Sequence, residues 1–392
     1  MNVKLVLCTG IVSIICLSAC KKNPTSNPQD EMLTLNQLQV IASHNSYHKK
    51  DTSIIFSFLD SIKNALPPED DPKELDYGHL PFDEQMNNYP VRGLEIDIYN
   101  DPQGGAFYNR KINSFIDGLS EASGVPELQT PGFKVLHIKD VDYNSTYNTF
   151  KQALTAVKTW SDQHPNHLPL FINIETKEDG PSQNPTLAAI GFLPPPPFNA
   201  AAADAFDEEI KSVFGPNMDQ VLTPDRIRNG LPTLNAVVTQ HKWPKLKDCR
   251  GKVVFIMEGN CVPYYKAGHP SLTGRAAFIY ADLGTPEAAF LIRNDAVPQQ
   301  ADITARVAEG YIVRTRSDAG TIEARSGDYS SMNAGFTSGA NIISTDYYKP
   351  DARGSIPGSG WTNFQVKFPN GEIARKNPVS ADTVNVDVSL KE

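Results

Sequence analysis

The 392-residue chain is poor in cysteine: of five, Cys8, Cys16 and Cys20 fall in the first twenty residues and only Cys249 and Cys261 lie beyond. Residues 252–258, Lys-Val-Val-Phe-Ile-Met-Glu, read as a strand between those two. At ~3.3 Å per residue such a strand holds them roughly 20 Å apart, so no disulfide is expected. The chain has no CxxC, HExxH, GxGxxG or GxxxxGK[ST] pattern. It therefore lacks the signals of thiol-redox, zincin, dinucleotide and P-loop chemistry. No repeat of 20–50 residues is visible, which disfavours a solenoid. Positive charge is also scarce: 36 Lys and Arg against 45 Asp and Glu give a net charge of −9. No nucleic-acid partner is implied, and no protein partner. A lipid substrate must be gripped locally rather than by a basic surface.

The apolar run 5–17, preceded by Lys4, is the length of a signal h-region and too short to span a membrane. Leu17-Ser18-Ala19-Cys20 follows and looks like a bacterial lipobox. The expected organisation is a signal peptide over 1–19, then lipidated Cys20 with a flexible tether to residue 34. One catalytic barrel with a C-terminal extension fills 35–392. Loss of the signal removes one lysine and leaves a net charge of −10, from 35 basic and 45 acidic residues. The expected location is the bacterial cell envelope, with the membrane reached through the lipid anchor.

Apolar and β-branched runs bounded by turn residues give eight strand candidates: 38–43, 93–99, 133–138, 170–176, 252–257, 277–281, 311–315 and 341–345. Most are continuously apolar, as strands covered on both faces are. Between them, 149–163 carries Phe150, Leu154, Val157 and Trp160 at helical spacing, and 201–214, 286–293 and 302–309 read as helices. Strand–helix alternation repeated eight times predicts an α/β fold, a TIM-type (β/α)8 barrel, with irregularities at its insertions. A doubly wound sheet is the second choice. Residues 60–82, with Pro67-Pro68-Glu69-Asp70-Asp71-Pro72, read as an irregular insertion; 180–200, with Pro194 to Pro197, reads as a stiff loop. Alternation in 363–368 and 383–388 predicts a β-rich C-terminal extension.

The strand ends carry the chemistry. Glu95 and Asp97 stand at i and i+2, so they share one face, with Leu94, Ile96 and Ile98 on the other. Buried carboxylates must be protonated, paired or metal-bound; Arg92 and Lys177 are candidate ion-pair partners. Glu175 adds a third carboxylate and Asn45 a carbonyl oxygen. Four oxygen donors without cysteine suit calcium or magnesium, which sequence does not separate. His44 and Asn45 reach one site only if the first strand stops there, as Asn45-Ser46 favours. His44 and His137, at two strand ends, suit acid–base work on a phosphate. Arg314 and Arg316 share a face and suit phosphate, with barrel ion pairs as the plain alternative. Tyr347 and Tyr348 are candidates to line a sugar or lipid pocket. His48, His79, His164, His167, His241 and His269 receive no role and are expected at the surface.

These residues together resemble the bacterial calcium-dependent phosphoinositide phospholipase C-like family, within the phospholipase C-like phosphodiesterase superfamily. The resemblance runs from about residue 38 to 378. It rests on Ser43-His44-Asn45-Ser46-Tyr47, Tyr77-Gly78-His79, Gln85, Val91-Arg92-Gly93-Leu94-Glu95-Ile96-Asp97, Leu136-His137-Ile138 and Asp142. It continues through residues 169–177, Leu222-Thr223-Pro224-Asp225, Gly251-Lys252-Val253, Val313-Arg314-Thr315-Arg316-Ser317-Asp318, Gly339-Ala340-Asn341 and Ser344-Thr345-Asp346-Tyr347. It implies a TIM-type barrel, His44 and His137 as the catalytic pair, and Asn45, Glu95, Asp97 and Glu175 as Ca2+ ligands, with Mg2+ not set aside. It implies attack of an inositol 2-hydroxyl on phosphorus, giving a cyclic phosphodiester and diacylglycerol. In that reading His44 stabilises the transition state, His137 protonates the leaving alkoxide and Glu95 takes the hydroxyl proton. Lys177, Arg314 and Tyr347 are then substrate contacts. Tyr147 and Ala153 stand where relatives often carry cysteines, so that disulfide is missing. The alternatives are a glycerophosphodiester phosphodiesterase and a non-catalytic envelope lipoprotein binding a phosphorylated ligand. The former usually opens with His-Arg-Gly, whereas this chain has His44-Asn45-Ser46.

Overall fold

The structure, a computed structural model, describes residues 27–63 and 71–392. The expected signal, Cys20, the first part of the tether and Pro67-Pro68-Glu69-Asp70 lie outside the described residues. Eleven strands are present among those described: β1 Leu38–Ser43, β2 Val91–Tyr99, β3 Lys134–Val135, β4 Leu170–Thr176, β5 Val253–Gly259, β6 Phe278–Ile279, β7 Phe290–Asp295, β8 Ile312–Arg316, β9 Ile342–Thr345, β10 Ala374–Lys376 and β11 Ser389–Leu390. Eight of them run parallel in the order β6-β5-β4-β2-β1-β9-β8-β7. A single parallel bridge between Tyr280 and Phe290 brings the two ends of that row together. The result is a nearly closed TIM-like barrel with helices outside it.

Continuous apolar sequence explains the strands. Val253 to Met257 are fully buried, because one face lines the barrel and the other meets the helices. The helix Phe150–Gln163 starts at Thr149, whose side chain and that of Gln152 form a capping box. It buries Phe150, Leu154, Val157 and Trp160, the stripe expected from their spacing. Phe150 stacks on Phe206 of the helix Ala200–Phe214 at 5.4 Å.

Several expectations need correction. Residues 133–138 do not form a barrel strand. Only Lys134–Val135 is a strand, antiparallel to the end of β2, because β1 and β4 already occupy both edges of β2. Phe133 instead packs among Phe150, Phe198 and Phe206. The missing barrel strand is β7, which overlaps the helix expected over 286–293; a short apolar run such as Phe290-Leu291-Ile292 does not declare its period. In the tail, Phe364, Val366 and Phe368 are buried as their alternation suggests, yet no strand forms there. Sheet pairing falls to β10, antiparallel to the start of β1, and to β11. The end of the expected tether is packed: Pro28–Met32 is a short helix, Gln29 donates to the carbonyls of Asp387 and Ser389, and Leu33 is fully buried. Cys249 and Cys261 are unpaired thiols, as their spacing predicts.

One close approach depends on glycine. A Cβ on Gly93 would lie 2.6 Å from the Ala42 Cβ, where the β1–β2 register shifts. Gly93→Ala is expected to cost about 1–3 kcal/mol by overpacking. Thermal unfolding checks this; an unchanged Tm would show that β1 and β2 separate easily.

Candidate active site at the barrel mouth

β1 stops at Ser43, and Asn45 takes a left-handed conformation at φ 43°, which asparagine tolerates better than most residues. The turn is stapled to β2: Ser46 N donates to the Glu95 carbonyl at 2.9 Å, and Glu95 N donates to Ser46 Oγ at 2.8 Å. This break in the strand lets adjacent residues His44 and Asn45 serve the same end of the barrel.

Each histidine of the expected pair is held by an aspartate. His44 Nδ1 lies 2.9 Å from Asp346 Oδ1, just beyond β9. Burial alone would raise the Asp346 carboxyl; His44, His79 and Arg316 instead hold it far below the usual range. An ionised Asp346 keeps a proton on His44 Nδ1. Asp318 supports the Asp346 backbone, accepting its N–H at 2.8 Å. Burial and the Asp346 charge push Asp318 itself up to about 6. His137 Nδ1 lies 3.3 Å from Asp142 Oδ2, and His48 Nε2 lies 2.7 Å from the same oxygen. Burial lowers His137 to about 4, against the pull of Asp142. Burial would raise Asp142, but His48 and His137 hold it well below its ordinary value.

β2 and β4 supply the carboxylates. In register, Asp97 faces Glu175 and Glu95 faces Asn173. One oxygen from each of Glu95, Asp97 and Glu175 lies within 4.8 Å of the others. Leu94, Ile96 and Ile98 are buried on the opposite face, as the pleat requires. Two cations are already engaged: Lys177 Nζ lies 3.2 Å from Asp97 Oδ2, and Arg314 is paired with Glu95. They do not settle the charge. Burial, with Glu175 and Glu95 nearby, pushes Asp97 well above the usual carboxylate range despite Lys177. Glu258 on β5 is pushed by burial up to about 7. Asp97 Oδ1 and Asn45 Oδ1 are buried without a hydrogen-bond partner. Clustered carboxylates and two unpartnered buried oxygens are what a hard divalent cation would satisfy.

The other expected residues are less open. Lys177 and Arg314 are buried on carboxylates, while half-buried Arg316 is nearer solvent, 3.5 Å from Asp346 Oδ2. Tyr347 is buried beside Trp361 and Phe364. Three of the histidines expected at the surface are buried, namely His48, His79 and His167. The loop after β1 folds back over the mouth, so His48 meets Asp142 and Tyr77, and His79 stacks on Tyr348 at 5.4 Å. His167 bonds Ser161 away from the site. Asp142 and Asp346, which the resemblance includes without a role, hold the two expected catalytic rings. Asp142 is close to His137 in sequence, five residues on, whereas no local signal ties Asp346 to His44.

The profile of the family described as "Phosphoinositide phospholipase C, Ca2+-dependent" matches residues 33–378. No curated protein matches the chain. Among solved structures, the calcium-dependent phosphoinositol-specific phospholipase C of Pseudomonas sp., crystal form 1, is similar at 15% identity and TM-score 0.52, covering 89% of this chain and 97% of that one. The myo-inositol complex of the same description gives 15% identity, the same coverage and TM-score 0.51. The Ca2+-dependent phosphatidylinositol-specific phospholipase C of Streptomyces antibioticus gives 15% identity and TM-score 0.46, covering 80% and 95%. At such identities the Pseudomonas structures speak to the fold.

Proposed function

The chain belongs to the Ca2+-dependent phosphoinositide phospholipase C family, and from that premise we propose that it cleaves phosphatidylinositol-like lipids to diacylglycerol and a cyclic inositol phosphate. The observation that supports this reading is the meeting of two aspartate-held imidazoles with a carboxylate cluster, two of its three members buried, at one barrel mouth. The ion would be held by Asn45 Oδ1, Glu95, Asp97 and Glu175, with Ca2+ favoured by the family and Mg2+ allowed by the oxygen donors. When bound, it supplies positive charge beside the reacting phosphate.

The protein's own groups then have separate tasks. The inositol 2-hydroxyl oxygen forms the new bond to phosphorus, and its proton passes to Glu95. Burial would raise Glu95, but Arg314 and then His44 hold it below its ordinary value, so it is ionised and able to accept. His44, doubly protonated with Nδ1–H on Asp346, donates Nε2–H to a phosphoryl oxygen. The bond from phosphorus to the glycerol oxygen breaks, and His137 gives that oxygen a proton. Arg316, at the mouth, is the better candidate of the two arginines for an additional phosphate contact. Arg314, Lys177 and Tyr347 would reach substrate only after a rearrangement.

His137 begins neutral at pH 7, since burial holds it near 4. An arriving anionic phosphate favours its protonation, so substrate binding takes up a proton. The expected result is that kcat/KM begins to fall at lower pH than kcat. Coincident alkaline limbs would remove this role. Reaction in 18O-labelled water tests cyclisation: the first phosphorus product should carry no label, and a labelled first product would mean direct attack by water.

Anchoring through Cys20 in the bacterial envelope belongs to this proposal and rests on the sequence alone. Cys20→Ser should move the protein from the membrane to the soluble fraction. Persistent membrane association would reject the lipobox reading.

A further inference from the structure

His48 carries no role in the reaction above, yet it is fully buried beside the second histidine. Its ring lies 5.5 Å from that of His137, edge-on, and 4.7 Å from Tyr77. Asp142 Oδ2 receives both rings, at 2.7 Å from His48 and 3.3 Å from His137. The other oxygen is taken by Asn144, through its backbone N at 3.1 Å and its side-chain amide at 3.0 Å. His48 therefore has the shorter bond to the one oxygen on which His137 depends.

His48 is also rigidly placed. Its N–H donates to the Asn45 carbonyl and its carbonyl accepts from His79 N, both at 2.8 Å. The backbone that carries His48 is thus tied to the turn that carries His44 and Asn45. We propose that His48 is a positioning residue: its Nε2–H shares the Asp142 oxygen with His137 and limits how strongly Asp142 grips the catalytic imidazole. The inference rests on the proposed function only in naming His137 catalytic.

A carboxylate oxygen can accept two hydrogen bonds, but each donor withdraws charge from the other. Removing His48 leaves Oδ2 to His137 alone, shortening that charge-assisted bond and favouring imidazolium. The other groups facing this pair are not altered by the substitution: Lys177 from the end of β4, Arg110 near Asp142 from the loop after β2, the Tyr77 ring, and the Tyr99 hydroxyl, which donates to the His137 carbonyl. Only one acceptor is being redistributed, so the sign is clear.

The test uses NMR of the histidine rings in the calcium-loaded protein without substrate. In wild type, His48 should be the Nε2–H tautomer; an Nδ1–H tautomer would overturn the proposal without any variant. In His48→Phe the His137 pKa should rise by about one unit. In His48→Gln, whose amide can donate to Asp142, it should stay near the wild-type value. A His137 pKa that is unchanged or lower in folded His48→Phe would contradict the proposal. The alkaline limb of kcat/KM should move upward with the pKa, a shift that simple loss of packing would not produce. Because the ring titration needs no turnover, its failure is distinguishable from failure of the proposed reaction.

Discussion

His137→Ala should lower kcat by about a thousandfold, within the usual span of a lost general acid, while calcium affinity stays within roughly twofold. The reason lies in the separation of tasks. His137 bonds Asp142 and faces Lys177, whereas the oxygens proposed for the cation come from Asn45, Glu95, Asp97 and Glu175. Truncation removes the proposed proton donor for the glycerol oxygen and leaves those oxygens where they are. Steady-state kinetics paired with calcium titration checks both halves. An unchanged kcat would take His137 out of the mechanism. A large loss of calcium affinity would mean that the two groups of residues are not independent.

Asp97→Asn should act on the other half of the site, weakening calcium by about a hundredfold as ligand charge is removed. Asp97 is fully buried and one of its oxygens has no partner. Its raised pKa shows that Lys177 alone does not stabilise its charge among Glu95 and Glu175. A bound divalent cation would reverse that balance. The effect should also appear as stability. At calcium one hundred times the wild-type Kd, wild type gains about 2.7 kcal/mol and the variant about 0.4 kcal/mol. Calcium-dependent shifts in thermal unfolding measure this difference. An equal gain in both proteins would remove Asp97 from the ligand set.

Much of this site follows from local pattern, and what does not is long-range. The pleat alone puts Glu95 and Asp97 on one face, and the register then brings Glu175 opposite Asp97. Asn45-Ser46 marks the end of β1, which makes His44 and Asn45 compatible. The number of barrel strands is also readable, but one member is not. Residues 133–138 are apolar enough for a strand and lose their place to β4, while Phe290–Asp295 resembles a helix and becomes β7. Both are short runs whose partner decides their structure. The histidine partners differ: Asp142 stands five residues beyond His137, but Asp346 is 302 residues from His44, and Asp142 is 94 residues from His48. His48 looks like an ordinary loop residue until the loop is seen to fold over the mouth. Sequence leaves Lys177 and Arg314 open between phosphate contacts and ion pairs with strand-end carboxylates, and the fold forms the ion pairs.

The most direct measurement is the phosphorus NMR spectrum of phosphatidylinositol incubated with the purified protein, with calcium and with EDTA. The account predicts cyclic inositol phosphate in the calcium sample and unreacted lipid with EDTA. Equal turnover in EDTA, or a calcium sample in which phosphatidylinositol persists, would contradict it.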